Sequence, residues 1–219
     1  CYDFMHLQYC QQNHTIGYDL FMRANMSKIE QNKKKKEIAI LEAAQQAFLG
    51  EGYTLASMDK IAKCAQVTKQ TVYRYYPSKI ELFEATLNYM AERAEFDFAD
   101  CLTTLDTQAA LQSFAIGFIK AHLCDAHLAT YRLLVAESNK APEIVNSFME
   151  TGSNDTQQQL AEFFQHKLKA KDPIRIARLW SSMLLTYRDG ALFGLHQPTN
   201  DEIEEHAKAC ITFLYAALK

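Results

Sequence analysis

Glycine and proline are scarce, seven and four in 219 residues. These are the residues that punctuate regular structure, so their scarcity beside 48 % hydrophobic residues indicates a compact, mostly helical chain with few turns and argues against an all-β fold. The chain has no run of about 18 apolar residues, so no membrane partner is expected. Its six cysteines (Cys1, Cys10, Cys64, Cys101, Cys124, Cys210) include no C-x-x-C pair. Cys64, Cys124 and Cys210 fall in helical apolar patterns, where a free thiol behaves as a small hydrophobe, and a reducing cytoplasm suits this usage better than a disulfide framework. Catalytic signatures are also missing: paired acids, a nucleophile with its base, a phosphate-cradling glycine loop and a dinucleotide fingerprint. No enzyme and no cofactor is expected. His122, Cys124 and His127 come nearest to a ligand cluster, but residues two and five apart do not share one helix face, so no metal site is expected. His166, His196 and His206 are scattered.

The net charge of −3 conceals a division. Residues 33–79 carry nine Lys or Arg against four Asp or Glu, a net +5, whereas residues 80–219 carry twelve against nineteen, a net −7. Positive charge concentrated in one segment is the electrostatic footprint of a surface that faces phosphates.

That segment contains two short helical patterns in succession, SMDKIAKCAQVTKQTVYRYYPSKIELF from Ser57 to Phe83. Ser57 can cap the first, in which Met58, Ile61, Ala62 and Ala65 recur at the spacing of one buried face. Thr68 caps the second, Lys69 to Tyr76, which turns Val72 and one or both of Tyr75 and Tyr76 inward. Lys69, Gln70, Thr71, Tyr73 and Arg74 are left on its outer face. Pro77 stops that helix, and Ser78 with Glu81 has the spacing of a capping box for the next. Lys79 near that N-terminus opposes the helix dipole, which makes sense if a phosphate sits opposite.

Upstream, a first helix is predicted over about Lys34 to Gly50, burying Ile38, Leu41, Ala44, Phe48 and Leu49. Gly52 supplies a left-handed cap, and Tyr53 and Leu55 staple the connection to the core. Lys33 to Lys36 reads either as a solvated helix start or as a flexible basic arm along a DNA backbone. Residues 1–25 lack a sustained period and the apolar centre of a secretory signal, and Met26 looks like a natural beginning. Residues 1–32 are therefore expected to be a disordered extension.

Downstream, the helix after Ser78 is predicted to continue to about Asp100. Further helices are expected at Leu111 to Cys124, Ala126 to Ser138, Pro142 to Ala170 with a break at Gly152, Pro173 to Leu195 and Asp201 to Leu218. Pro142 and Pro173 sit at helix starts, where proline is tolerated. Two broad apolar stripes close the chain: Ile176, Leu179, Trp180, Met183, Leu184 and Tyr187, then Ile203, Ala207, Cys210, Ile211, Leu214, Tyr215 and Leu218.

The strings EIAILEAAQQAFLGEGY, SMDKIAKCA and VTKQTVYRYYPSKIELF closely resemble the DNA-binding domain of the TetR family of bacterial transcriptional regulators, over roughly Lys33 to Tyr89. YRLLVAESNKAPEIVNSFMETG resembles, over a shorter stretch, the C-terminal domain of its AefR-like subgroup. One departure is Gln66, which stands where the family's turn usually carries glycine; a non-glycine residue at positive φ costs about 1 kcal/mol.

The resemblance implies an all-α protein: a three-helix helix-turn-helix domain at 33–79, joined by a long helix to a helical ligand-binding and dimerisation domain at 80–219. It further implies a homodimer formed by the last two helices, double-stranded DNA with a palindromic operator as partner, and an unknown small-molecule effector that releases a repressor. On the recognition helix, Gln70 would face adenine, Thr71 a thymine methyl and Lys69 a guanine or phosphate, with Thr68 at the helix start. Ser57, Tyr73, Tyr75 and Lys79 would contact phosphates. Phe114, Phe118, Tyr131, Leu134, Phe148, Trp180, Met183 and Tyr187 are candidate effector linings. Alternatives are a TetR-like protein that organises DNA or a partner without regulating a nearby gene, and a helical ligand-binding protein or enzyme that has lost DNA binding.

Overall fold

Among the described residues, Ser27 opens the first helix. In the computed structural model, which describes residues 27–92, 98, 100–103, 106–149 and 154–218, its Oγ accepts from the Glu30 N–H at 3.3 Å and its own N–H donates to Glu30 Oε2 at 2.8 Å. This reciprocal capping box satisfies two orphan donors and starts α1 (Lys28–Glu51) six residues before the predicted position. Residues 28–32, expected in a disordered extension, are helical, and Lys33 to Lys36 form an exposed helical stretch in place of a flexible arm. The expectation for residues 1–25 lies outside the described residues.

The head then forms largely as the spacing predicts, from α1, α2 (Met58–Cys64), α3 (Lys69–Tyr75) and the start of α4 (Lys79–Glu92). Its core gathers Ile40, Leu41, Ala44, Phe48, Met58, Ile61, Ala62, Val72, Leu82 and Phe83. Ile38 and Leu49 are only half-buried. Gly52 ends α1 at φ 87° with its N–H on the Phe48 carbonyl, but at ψ 158°, extended rather than left-handed helical. Tyr53 is the staple, with its ring 5.3 Å from that of Phe83; Leu55, 72 % exposed, is not. Cys64, the last residue of α2, is exposed too, whereas Cys210 is buried as expected. The course of α4 beyond Glu92 is outside the described residues.

The rest of the chain comprises a 3₁₀ turn (Asp100–Thr103), α5 (Thr107–Leu123), α6 (Asp125–Glu137), α7 (Pro142–Phe148), α8 (Asn154–Leu168), α9 (Pro173–Leu184), α10 (Arg188–Leu192) and α11 (Asn200–Ala217). Pro142 and Pro173 occupy helix starts as expected. The predicted helix from Pro173 to Leu195 divides after Leu184. The hydroxyls of Ser181, Ser182 and Thr186 donate to carbonyls three or four residues back, a local competition that bends and ends helices. Trp180 locks α9 to α11 by donating Nε1–H to the Cys210 carbonyl at 3.0 Å. At Gly117 on α5 a Cβ would stand 2.7 Å from Phe98 Cβ, so only glycine admits that ring.

Two apolar cores result, and α6 belongs to both. Leu128, in its first half, packs into the C-terminal core; Leu133 and Leu134, in its second half, pack into the head. At the end of α6 the buried Glu137 carboxylate accepts from the Thr54 N–H at 2.8 Å. Hydrogen bonds from Thr54 hold this carboxyl below its ordinary pKa, and Lys140 lowers it further. A Cβ at Gly52 would lie 3.3 Å from Glu137 Oε1, so positive φ and this close approach both call for glycine there. Among the described residues no helix is long and apolar enough to cross a membrane.

Candidate nucleic-acid interface and a buried aromatic cluster

The turn between α2 and α3 has the anticipated strain: Gln66 adopts φ 56°. The Val67 N–H returns to the Ala62 carbonyl at 3.0 Å, which closes the turn and sets α3 across α2. Thr68 caps α3 by accepting from the Thr71 N–H at 3.1 Å, and the two hydroxyls lie 2.8 Å apart. Ser57 caps α2 through the Lys60 N–H and keeps its own O–H to donate. Lys69, Gln70, Tyr73 and Arg74 form the exposed face of α3, with Thr71 half-buried beside them. Lys69 leans on Asp59 at 2.8 Å, an exposed ion pair that raises its pKa. Such a pair contributes little to stability, so the ammonium is easily surrendered to a phosphate.

Two of the residues assigned to phosphates have structural partners. The Tyr75 hydroxyl donates to the Lys33 carbonyl at 3.1 Å and ties α3 to α1. Beside this bond Ile29, Asn32, Lys33, Lys36, Glu37, Arg74 and Tyr75 line a cleft of about 680 Å³ with three cationic side chains. Lys33 and Lys36 thereby join the basic surface from a helix and not from an arm.

The Lys79 ammonium reaches the carbonyls of Tyr53, Thr54 and Ala56 at 2.9, 3.2 and 3.2 Å and sits 4.5 Å from the centre of the Tyr53 ring. Its three protons are thus matched to three acceptors on the connection between α1 and α2, a clasp that phosphate need not complete. Lys79→Met is expected to destabilise the protein by about 2 kcal/mol, the worth of a charged hydrogen-bond set left without its donor. Urea unfolding measures this, and an unchanged midpoint would show that the clasp is dispensable.

In the C-terminal domain the effector candidates separate into groups. Phe114 stacks on Phe118 at 5.5 Å, and Phe118 lies 4.1 Å from the His122 ring. His122 meets His127 at 4.6 Å, and His127, Tyr131 and Phe148 are mutually about 6 Å apart. Trp180 adjoins the cluster through Phe114 at 5.8 Å, but it is 2 % exposed and engaged with Cys210. Tyr187 instead faces His206, which also reaches the Met183 carbonyl, on the α11 side. Leu134 packs in the head core, against which Phe148 also packs, because α6 has by that point crossed into the other domain.

Sequence spacing missed the histidines. His122 ends α5 and His127 lies in the first turn of α6; the extended Cys124 between them, at φ −67° and ψ 149°, folds the two rings together. Among the described residues no group of three or more His, Cys, Asp or Glu is arranged to hold a metal ion. Burial pushes His122 down to about 4 and His127 to about 3, with Arg188 adding to both shifts. Both rings are therefore neutral near pH 7. Arg188 stands 4.6 Å over the Tyr131 ring, and Arg132 from α6 caps the end of α10 through the Ala191 and Leu192 carbonyls at 2.8 and 2.9 Å.

Residues 40–86 match the model for bacterial regulatory proteins of the tetR family, and residues 109–218 match the C-terminal domain of AefR-like transcriptional repressors. A TetR-family regulator from Mesorhizobium loti is similar with TM-score 0.72 and 25 % identity, covering 88 % of this chain and 98 % of that one. The flavonoid-responsive regulator FrrA has TM-score 0.71 and 28 % identity, covering 84 % and 97 %. The nucleoid occlusion factor SlmA of Pectobacterium carotovorum is 24 % identical over 173 residues, 76 % of this chain and 86 % of that protein. The chain spans 21 % and 36 % of the length of two further curated regulators that it matches. One family model covers the head, the other alone covers half of the residues, and the architecture is shared along nearly the whole of solved relatives: the chain belongs to the TetR family of bacterial transcriptional regulators, which bind DNA.

Proposed function

We propose that the protein is a homodimeric repressor that reads a palindromic operator with α3 and is released when a small molecule occupies the C-terminal domain. The observation that carries the dimer is an apolar surface on the last long helices. Ile174 and Leu179 on α9 and Phe213 on α11 are 60, 60 and 64 % exposed, and small exposed residues (Ser182, Ala209, Thr212, Ala216) flank them at helical spacing. Large apolar side chains beside small ones suit a helix-to-helix interface with a second copy. A two-fold axis there would set two α3 helices on successive major grooves, roughly 34–36 Å apart or a multiple of it.

Selection from random duplexes, followed by binding at two salt concentrations, tests this reading. It predicts an inverted repeat and a steep salt slope from Lys33, Lys36, Lys69 and Arg74. Sequence-independent retention would count against it. Gln70→Ala is expected to relax the preference at one base pair of each half-site, costing about 1–3 kcal/mol there and nothing elsewhere; an unchanged base preference would remove Gln70 as a reader.

The likeness to a nucleoid occlusion factor along most of the chain favours a second reading, a protein that occupies many scattered sites and organises DNA. Genome-wide mapping of bound sites separates the two, with one strong palindrome beside a gene favouring repression. FrrA is flavonoid-responsive by name, which supports an aromatic effector for a chain that shares its fold.

A further inference from the structure

The aromatic cluster contains polar groups that the protein does not satisfy. Arg188 Nε and His127 Nε2 are buried and have no hydrogen-bond partner. Burying such atoms unpaired costs on the order of 1–3 kcal/mol each. Both side chains lie against one ring, that of Tyr131, with the guanidinium 4.6 Å and the imidazole 6.0 Å from its centre.

The charge at this place is equally unbalanced. Among the described residues Arg188 forms no salt bridge, and the two neighbouring imidazoles supply no negative charge. His122 Nδ1 is already directed at the Phe118 carbonyl at 2.8 Å, which fixes that ring's proton on Nδ1. A guanidinium against a half-buried apolar wall, with an unused N–H and an unused imidazole nitrogen beside it, is complementary to an oxygen anion. The walls are flat rings, Tyr131, Phe148 and Phe118, which suit an aromatic body attached to that anion.

We infer that this cluster binds an aromatic carboxylic acid, its carboxylate held by Arg188 Nε–H and by His127 in its Nε2–H tautomer and its ring against Tyr131 and Phe148. The inference rests on the effector-release reading above and specifies the chemistry of its ligand. Neutral analogues of the same shape would keep the ring contacts and forfeit the charge-assisted hydrogen bonds.

The test uses the full chain and three acids, benzoate, cinnamate and 2-naphthoate, each beside its primary amide. Calorimetry and the fluorescence of Trp180, the only tryptophan in the chain, report binding. At least one acid should bind about tenfold or more tightly than its amide, a difference typical of a charge-assisted contact. Arg188→Gln should abolish that preference by weakening the acid far more than the amide, and Arg188→Lys should restore part of it. If Arg188→Gln fails to fold, His127→Phe provides the second reading and should weaken the acid alone. Equal affinity for acids and amides, or no binding of any of the six up to about 1 mM, overturns the inference.

Operator binding is read in a separate arm. An acid that binds without releasing DNA supports this site and counts against effector release. Release by amides but not by acids supports effector release and overturns the acid site.

Discussion

Leu179→Asp combined with Phe213→Asp is expected to yield a folded monomer whose operator affinity is on the order of 100- to 10,000-fold below wild type. The size follows from the loss of linked binding, because a second reading head held in place by the first acts at high effective concentration and a free monomer forfeits that gain. Folding should survive, because both side chains are already more than half exposed and such positions tolerate substitution within about 0.5 kcal/mol. Their neighbours Trp180 and Leu214, 2 and 3 % exposed, point the other way and hold the domain together. Sedimentation gives the oligomeric state and anisotropy on the selected duplex gives the affinity. A double variant that stays dimeric would move the interface elsewhere on the molecule.

The second large effect is acid sensitivity. His122 and His127 have folded pKa values of about 4 and about 3 against an ordinary 6.5, so on acidification the unfolded chain takes up protons before the folded one. Stability contributed by the neutral rings is complete above about pH 6.5 and is lost as pH falls toward 4. Linkage gives a loss of about 2 kcal/mol per imidazole by pH 5, and the second proton would meet both Arg188 and the first charge. Lowered carboxyls such as Glu137 add to the same trend, so a reference variant is needed. The double variant His122→Phe, His127→Phe should lose about 4 kcal/mol less than wild type between pH 7 and pH 5 in urea unfolding. Parallel losses in the two proteins would mean that the imidazoles are not the groups that titrate.

The helix-turn-helix was legible because local signals coincide there. Ser57 and Thr68 cap, Met58, Ile61 and Ala62 recur at helical spacing, and the positive φ of Gln66 was implied by the resemblance, whose turn usually carries glycine there. What was not legible depended on non-local geometry. The carbonyls that hold Lys79 lie 23 to 26 residues away in the chain and carry no side-chain signature. Leu134 sits in an apolar helix like its neighbours, and nothing local says that α6 changes cores between Leu128 and Leu133. His122 and His127 fail a spacing argument that assumes one helix; the expected end of one helix at Cys124 and start of the next makes them partners, because the fold at that break brings the two rings together. The earlier start of α1 was present in the sequence as Ser27 and Glu30, overshadowed by four consecutive lysines.

The passage of α6 through both cores makes it a stiff rod with a load at each end. From His127 to Glu137 is ten residues, about 15 Å of continuous helix, with no loop between them to absorb motion. If a ligand displaced the first turn, as the proposed effector release requires, this helix would carry the movement toward the Thr54 amide and the connection that Lys79 clasps beneath the reading head. The traffic runs both ways. Whatever factor a ligand takes from DNA affinity, bound DNA must take from ligand affinity, so the protein seated on its operator would be a poorer sensor than the same protein adrift in solution.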